Sequence, residues 1–139
     1  MSLAVKISLA ASGLFLLWGM LLGVVKYRAI MRSPAHRAPV YVDIAHRAAL
    51  LYSFAALVLA KLSEYSPYSE RVQLVAAGVP LAFFALTIAG YAAHGLRDDT
   101  DNIFAERSFV TTWFMYALIA GEIAGTAVIV WGFIQTQLL

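Results

Sequence analysis

The sequence predicts an all-α integral membrane protein, a four-helix up-down transmembrane bundle that assembles as an oligomer. Of its 139 residues, 62% are hydrophobic and 13% are charged, against about 45–50% and about 25% in typical soluble domains. Four apolar stretches are long enough to cross about 30 Å of hydrocarbon, which takes about 20 helical residues. These stretches have neither the charged face of a soluble helix nor the alternation of a barrel strand.

The four predicted spans cover residues 7–25, 44–62, 72–93 and 109–133, and we interpret 1–139 as a single transmembrane domain. Because the connections are short, consecutive helices are expected to be antiparallel neighbours. Pro80 lies inside the third span, where it is expected to kink the helix.

Basic residues predict the orientation of the spans. Seven of the ten basic residues lie in or beside the predicted loops 26–43 and 95–108: Lys26, Arg28, Arg32, Arg37, Arg47, Arg97 and Arg107. The positive-inside rule therefore predicts that both loops are cytoplasmic and both termini outside, in an inner or plasma membrane. Aromatic residues at the ends of the spans are typical of interfacial anchors: Tyr65, Tyr68 and Trp131 outside, and Tyr27 and Tyr41 inside.

Composition also excludes several functions. The absence of cysteine excludes disulfides and thiolate metal sites. The net charge of +2 is too small to indicate a nucleic-acid partner, so the lipid bilayer is the partner that composition predicts. The loop between the third and fourth spans is acidic and contains Asp98, Asp99, Asp101 and Asn102. It lacks the calcium-binding pattern of an EF-hand, and we expect it to cap the fourth helix.

Small residues at helical spacing predict close helix packing. Gly19 and Gly23 form a GxxxG motif in the first span, and Gly121 and Gly125 form another in the fourth. Four spans offer few internal partners for these faces, so a homo-oligomer is expected. An alternative is that the chain is an assembly subunit of a larger membrane complex.

Two histidines indicate a cofactor site. His46 lies about one turn inside the second span and His94 about one turn before the end of the third, so antiparallel packing can bring them to one depth. Ala49, Ser53 and Ala56 follow His46 on one face and are expected to leave room for a flat group. Imidazole ligates haem iron, and Arg28 and Arg47 could meet the carboxylates of such a cofactor. The alternative is that the histidines only hydrogen-bond to headgroups or carbonyls. Asp43 could orient His46 or cap the second helix.

The segment His46-Arg47-Ala48-Ala49-Leu50-Leu51, with a tyrosine 45 positions after His46 at Tyr91, resembles styrene oxide isomerase, a small four-span membrane enzyme. The resemblance implies a trimer with haem b, His46 as the metal ligand, and isomerisation of a small apolar substrate at a Lewis-acidic iron. It also implies that Tyr91 orients the substrate.

Two positions depart from that family's pattern. Its asparagine six positions after the ligand is Tyr52 here, and its aspartate eight positions before the tyrosine is Phe83. Phe83 cannot replace a carboxylate, whereas Tyr52 could supply a hydroxyl near the iron, which makes Tyr52 and Tyr91 the candidate catalytic residues. His94 also allows a second axial ligand, which would close the iron to substrate and favour electron transfer.

Glu122 is the one acidic residue well inside a span. An unpaired carboxylate there is costly, so Glu122 is expected to face the bundle or to be protonated, with Lys61 or Lys6 as candidate partners. It could be a proton or cation site in a small transporter, or a structural interhelical contact.

Overall fold

In a computed structural model that describes residues 1–139, all regular structure is helical. The helices are α1 (Leu3–Arg32), α2 (Val40–Ser63), α3 (Glu70–Arg97) and α4 (Met115–Gln137), and a π-helical turn (Val110–Phe114) precedes α4. Counting that turn with α4, four helices are long and apolar enough to cross a membrane. The all-α class and the four transmembrane helices are confirmed.

The helices are longer than the predicted spans. α1 continues to Arg32 and α2 begins at Val40, so the predicted loop 26–43 is mostly helical and the connection is only 33–39. Hydropathy detects the part of a helix that lies in hydrocarbon, whereas backbone hydrogen bonding continues into the polar interface. For the same reason α3 extends past residue 93 to Arg97.

The start of the fourth helical segment is capped by Ser108 and Thr111. The Thr111 amide donates to Ser108 Oγ at 3.2 Å, and the Ser108 amide donates to Thr111 Oγ1 at 2.8 Å. The expectation that the acidic loop provides this cap is therefore wrong. Asp98 instead ends α3 with a left-handed φ of 51°, and its amide donates to the His94 carbonyl at 2.9 Å.

The GxxxG motif of α1 packs against α2. A Cβ atom at Gly19 would lie 2.8 Å from Leu50 Cδ2, and one at Gly23 would lie 3.0 Å from His46 Cε1. Both glycines therefore make room for side chains of the neighbouring helix.

The GxxxG motif of α4 packs against α3. A Cβ atom at Gly121 would lie 2.6 Å from Phe83 Cε2, and Gly125 rests on the Ala76 carbonyl and the Pro80 ring. The expectation that these glycine faces lack internal partners is wrong, because the chain itself supplies a partner for each. The argument for an oligomer that rested on them no longer holds.

Hydrogen bonds between chain segments fix the helix ends. The Leu3 amide donates to Glu70 Oε1 at 2.7 Å, and Thr136 Oγ1 donates to the Tyr65 carbonyl at 2.6 Å. Thus the start of α1 meets the start of α3, and the end of α4 meets the α2–α3 connection.

Candidate functional site

A cavity of about 150 Å³, called the chamber below, lies among α2, α3, the π-helical turn and α4. Its walls are mostly apolar, including Leu86, Phe114 and Leu118. Four polar residues also line it: Tyr52, Thr87, Tyr91 and His94. The structure therefore brings three of the predicted site residues, Tyr52, Tyr91 and His94, into one place.

Tyr52 is held in position by stacking. Its ring lies 4.2 Å from that of Phe84, centroid to centroid, with the planes inclined by only 10°. Stacked aromatic pairs restrict ring rotation and add to the apolar burial. The Tyr52 side chain therefore presents to the chamber from a fixed direction.

Thr87 carries an unsatisfied polar atom in the chamber wall. Its Oγ1 is buried and has no hydrogen-bond partner. Such a group is destabilising by about 1–3 kcal/mol unless something in the cavity satisfies it. Thr87 therefore places an unpaired and almost inaccessible polar atom in the wall beside the chamber.

Tyr91 and His94 are positioned by Tyr41, a residue that sequence reasoning placed elsewhere. The Tyr41 ring lies 5.7 Å from that of Tyr91 and 5.9 Å from that of His94, and its hydroxyl accepts a 2.8 Å hydrogen bond from the Ile103 amide. Tyr41 is 5% exposed, so its prediction as an interfacial anchor is wrong. Gly95 explains this, because its missing side chain lets α3 contact the backbone at Tyr41.

His94 forms an acid–base pair at the mouth of the chamber. Its Nδ1 lies 2.7 Å from Asp99 Oδ1, and Arg97 Nε lies 3.4 Å from the other carboxylate oxygen. The hydrogen bond from His94, with the nearby charge of Arg97, holds the pKa of Asp99 below its usual range. His94, Ile103 and Val110 line both the chamber and a polar cleft of about 520 Å³ formed by the α3–α4 connection.

The π-helical turn shapes the opposite wall. It places Val110 and Phe114 in the chamber lining, immediately before α4. Single π-helical turns are uncommon and are found frequently at functional sites. No pattern in the sequence predicted it.

His46, the predicted haem ligand, faces α1 instead of the chamber. Its Nδ1 lies 2.8 Å from the Gly19 carbonyl, its ring packs on Gly23, and Nε2 has no protein hydrogen-bond partner. Histidines that ligate metals usually donate their second nitrogen to a carbonyl or carboxylate in this way. Helical spacing places Tyr52 about 120° around α2 from His46. The structure therefore separates His46 from Tyr52, Tyr91 and His94.

The small-residue face that follows His46 is filled by neighbouring helices. Ala49 and Ala56 are fully buried, Ser53 is 3% exposed, and Ser12 on α1 donates to the Ser53 carbonyl at 2.8 Å. The expectation that this face leaves room for a flat group is therefore wrong. The two histidines also share no cavity, which leaves a bis-histidine site without geometric support.

The cations near His46 are arranged around Asp43. Its carboxylate lies 2.5 Å from Lys26 Nζ and 2.8 Å from Arg47 Nη2, so it bridges α1 and α2. Asp43 makes no cap for α2 and no hydrogen bond to His46. Arg28 is exposed and makes no ion pair.

Glu122 lies outside the chamber lining. Its Oε1 is buried without a hydrogen-bond partner. Lys61, a predicted partner, is instead 2.7 Å from Glu64 at the end of α2. Neither Lys61 nor Lys6 pairs with Glu122, so both predicted partners are wrong.

Comparisons with models of protein families, with curated proteins and with solved structures find no match for this chain. The structure also contains no group of three or more His, Asp or Glu side chains placed to share a metal ion. The chemistry of the chamber and of His46 is therefore the basis for assigning a function.

Proposed function

We propose that the protein binds a small apolar molecule with one hydrogen-bonding group in the chamber and isomerises it there. The observation that carries this proposal is the chamber itself, about 150 Å³ of mostly apolar space with Tyr52, Thr87 and Tyr91 in its walls. Apolar cavities of about this volume accept a single benzene-sized molecule. The polar groups would orient the ligand, as a few polar groups do in apolar binding sites.

The reaction class comes from the resemblance to styrene oxide isomerase, and the residues are compatible with it. Phenol hydroxyls at Tyr52 and Tyr91 can donate to a substrate oxygen. His94 is held at Nδ1 by Asp99, and an imidazole held in this way can exchange a proton with a substrate through its other nitrogen. An isomerisation returns every proton that it takes, so these groups need no oxidant or reductant.

Ligand binding tests the chamber directly. The probe is 4-fluorostyrene oxide, with its fluorine signal followed as it is titrated against the protein in lipid nanodiscs. Gly90→Leu would fill the chamber, because Gly90 lines it and a Cβ there meets no atom within 4 Å. We expect affinity to fall about tenfold or more, equivalent to about 1.4 kcal/mol.

The matched control is Gly78→Leu, which is also on α3 and also has an open Cβ position, but lies outside the chamber lining. Its affinity should equal that of the wild type. Equal affinities in all three proteins would place the ligand outside the chamber and refute the proposal.

We also propose that His46 binds haem b. The free Nε2 and the hydrogen bond from Nδ1 to the Gly19 carbonyl support it. Arg28 and Arg47 would supply cations for the haem carboxylates. When bound, the iron would supply a Lewis acid. The packed face after His46 excludes a porphyrin from between α1 and α2, so the haem would have to lie outside that contact at Nε2, and we assign no reaction step to the iron.

An absorption spectrum of protein purified from haem-supplied cells tests this second proposal. We expect a Soret band that disappears in His46→Ala and persists in His94→Ala. A wild-type spectrum without the band, or a band unchanged in His46→Ala, would end it.

We further propose that the helices alternate in direction across an inner or plasma membrane, with both termini outside. The contacts of Leu3 with Glu70 and of Thr136 with Tyr65 support this arrangement. The chain has no cysteine, so Ser2→Cys and Ser33→Cys can be labelled singly in intact cells with an impermeant maleimide. Only Ser2→Cys should react. The trimer implied by the resemblance would be tested by mass in detergent solution, where a strict monomer would contradict it.

A further inference from the structure

A third cavity, distinct from the polar cleft but also of about 520 Å³, forms a groove between α3 and α4. Valines line its sides, and Ala76, Gly121 and Gly125 are among its small lining residues. Its one charged residue is Arg71, which makes the groove different from an ordinary lipid-facing surface.

The groove is about as long, along the helices, as one membrane leaflet is thick. Arg71 is in the first turn of α3, and Val79 lies eight residues further along, which corresponds to about 12 Å. One leaflet supplies about 15 Å of hydrocarbon, half of the core thickness. The apolar part of the groove therefore extends from the membrane interface to near the midplane.

Arg71 has no partner in the protein. It is exposed and makes neither an ion pair nor a side-chain hydrogen bond. The adjacent Glu70 is engaged with α1, since its Oε1 accepts from the Leu3 amide at 2.7 Å. A free guanidinium at the interface matches a phosphate group, which it can bind through two parallel hydrogen bonds.

We propose that the groove is a binding site for an anionic phospholipid, with one acyl chain along α3 and α4 and its phosphate on Arg71. A second copy of this chain would fit the groove less well. The two carboxylates at this end of the helices are already engaged, Glu64 with Lys61 and Glu70 with Leu3. A lipid phosphate supplies the anion that a second copy lacks.

The experiment uses the full chain in nanodiscs containing equal amounts of phosphatidylcholine and phosphatidylglycerol, followed by native mass spectrometry after gentle release. We expect one retained phospholipid per chain, with phosphatidylglycerol preferred. Arg71→Gln should reduce that preference about fivefold, the contribution of one basic residue near an anionic surface. Val75→Trp, at an exposed position in the groove, should abolish lipid retention.

Lys6→Gln is the matched control, because Lys6 is an exposed cation near the start of α1 and lies outside the groove lining. It should retain lipid as the wild type does. Equal retention in all four proteins would overturn the proposal. A lipid-free dimer that Val75→Trp converts to a monomer would assign the groove to a second copy and would also overturn it.

Discussion

The α1–α2 contact around Gly19 and Gly23 and the α3–α4 region differ in the space that they leave between helices. Between α1 and α2, Gly19 and Gly23 receive Leu50 and His46, and Asp43 bridges the two helices through ion pairs. The α3–α4 region borders the chamber, the polar cleft and the apolar groove. Buried polar atoms without partners occur in both regions: Ser8 Oγ on α1, Ser63 Oγ on α2, Thr87 Oγ1 on α3 and Glu122 Oε1 on α4.

This difference is the reason that we propose a binding function for the α3–α4 region. Buried polar groups without partners are rare in folded proteins and call for a specific explanation, such as a bound ligand or water. One of them, Thr87 Oγ1, belongs to the chamber wall near the π-helical turn, in the region that holds Tyr91 and His94. His46 belongs to the α1–α2 contact, where its Nδ1 lies within hydrogen-bond distance of the Gly19 carbonyl and its ring packs on Gly23.

The largest predicted effect is that of Gly95→Ala, at the contact between α3 and the start of α2. A Cβ at Gly95 would collide with the backbone of Tyr41 and Val42, and backbone cannot rotate away as a side chain can. We expect the free energy of unfolding to fall by about 3 kcal/mol, near the upper end for overpacking. Denaturant titration followed by circular dichroism would measure it.

Gly90→Ala is the comparison variant on the same helix. Its Cβ meets nothing within 4 Å, so its unfolding free energy should stay within about 0.5 kcal/mol of the wild type. Equal effects of the two substitutions would mean that Gly95 on α3 is not in close contact with the α2 backbone.

Glu122→Met should have the next largest effect, in the opposite direction. The substitution removes a buried oxygen without a partner and keeps a similar side-chain length. We expect the protein to become more stable by about 1–2 kcal/mol. A loss of stability would instead indicate that the carboxyl group makes a structural contact across the bundle.

The transporter alternative for Glu122 predicts a different observable. Proteoliposomes containing a pH-sensitive dye would report proton flux, which Glu122→Gln should abolish while His46→Ala leaves it intact. If no wild-type flux is detected, the alternative is excluded for protons.

The sequence was sufficient to predict four membrane helices, because hydropathy over about 20 residues is a strong signal. Tyr91 and His94 are three positions apart in one predicted span, and this spacing puts them on one face of a helix. The sequence could not predict that Tyr41 would join them, since that depends on how closely Gly95 lets two helices approach.

The angular positions of His46 and Tyr52 around the axis of α2 explain why the structure separates His46 from the other predicted site residues. Tyr52 lies six residues further along α2 than His46, which corresponds to about 9 Å along the helix and about 120° around it. Which face meets which neighbour is decided by the packing of all four helices, and Gly23 favours α1 as the partner of His46. A single sequence contains the residues of that contact but does not show which of them pack against each other.

Asp43→Asn, at the α1–α2 contact, should have a smaller effect on stability. Asp43 is about one-third exposed, and its two ion pairs with Lys26 and Arg47 lie near solvent. We expect a loss of about 1 kcal/mol in the free energy of unfolding, decreasing at high salt because exposed pairs are screened. Asp101→Asn, at an exposed carboxylate with no ion pair, should be neutral at every salt concentration. A salt-independent loss in Asp43→Asn would mean that screening plays no part in the contact.

The smallest predicted effect concerns Asp99 at the mouth of the chamber. The hydrogen bond from His94 lowers the pKa of Asp99, so this carboxylate stabilises the folded state above its unfolded pKa of about 4. As pH falls through the lower folded pKa, that contribution is lost. The difference in unfolding midpoint between the wild type and Asp99→Asn should therefore be present at pH 6 and disappear once the pH has fallen below the folded-state pKa of Asp99, while Asp101→Asn shows no such change. A difference that stays constant over this range would show that Asp99 acts through packing of the α3–α4 connection and not through its charge, leaving His94 without an electrostatic partner at the chamber.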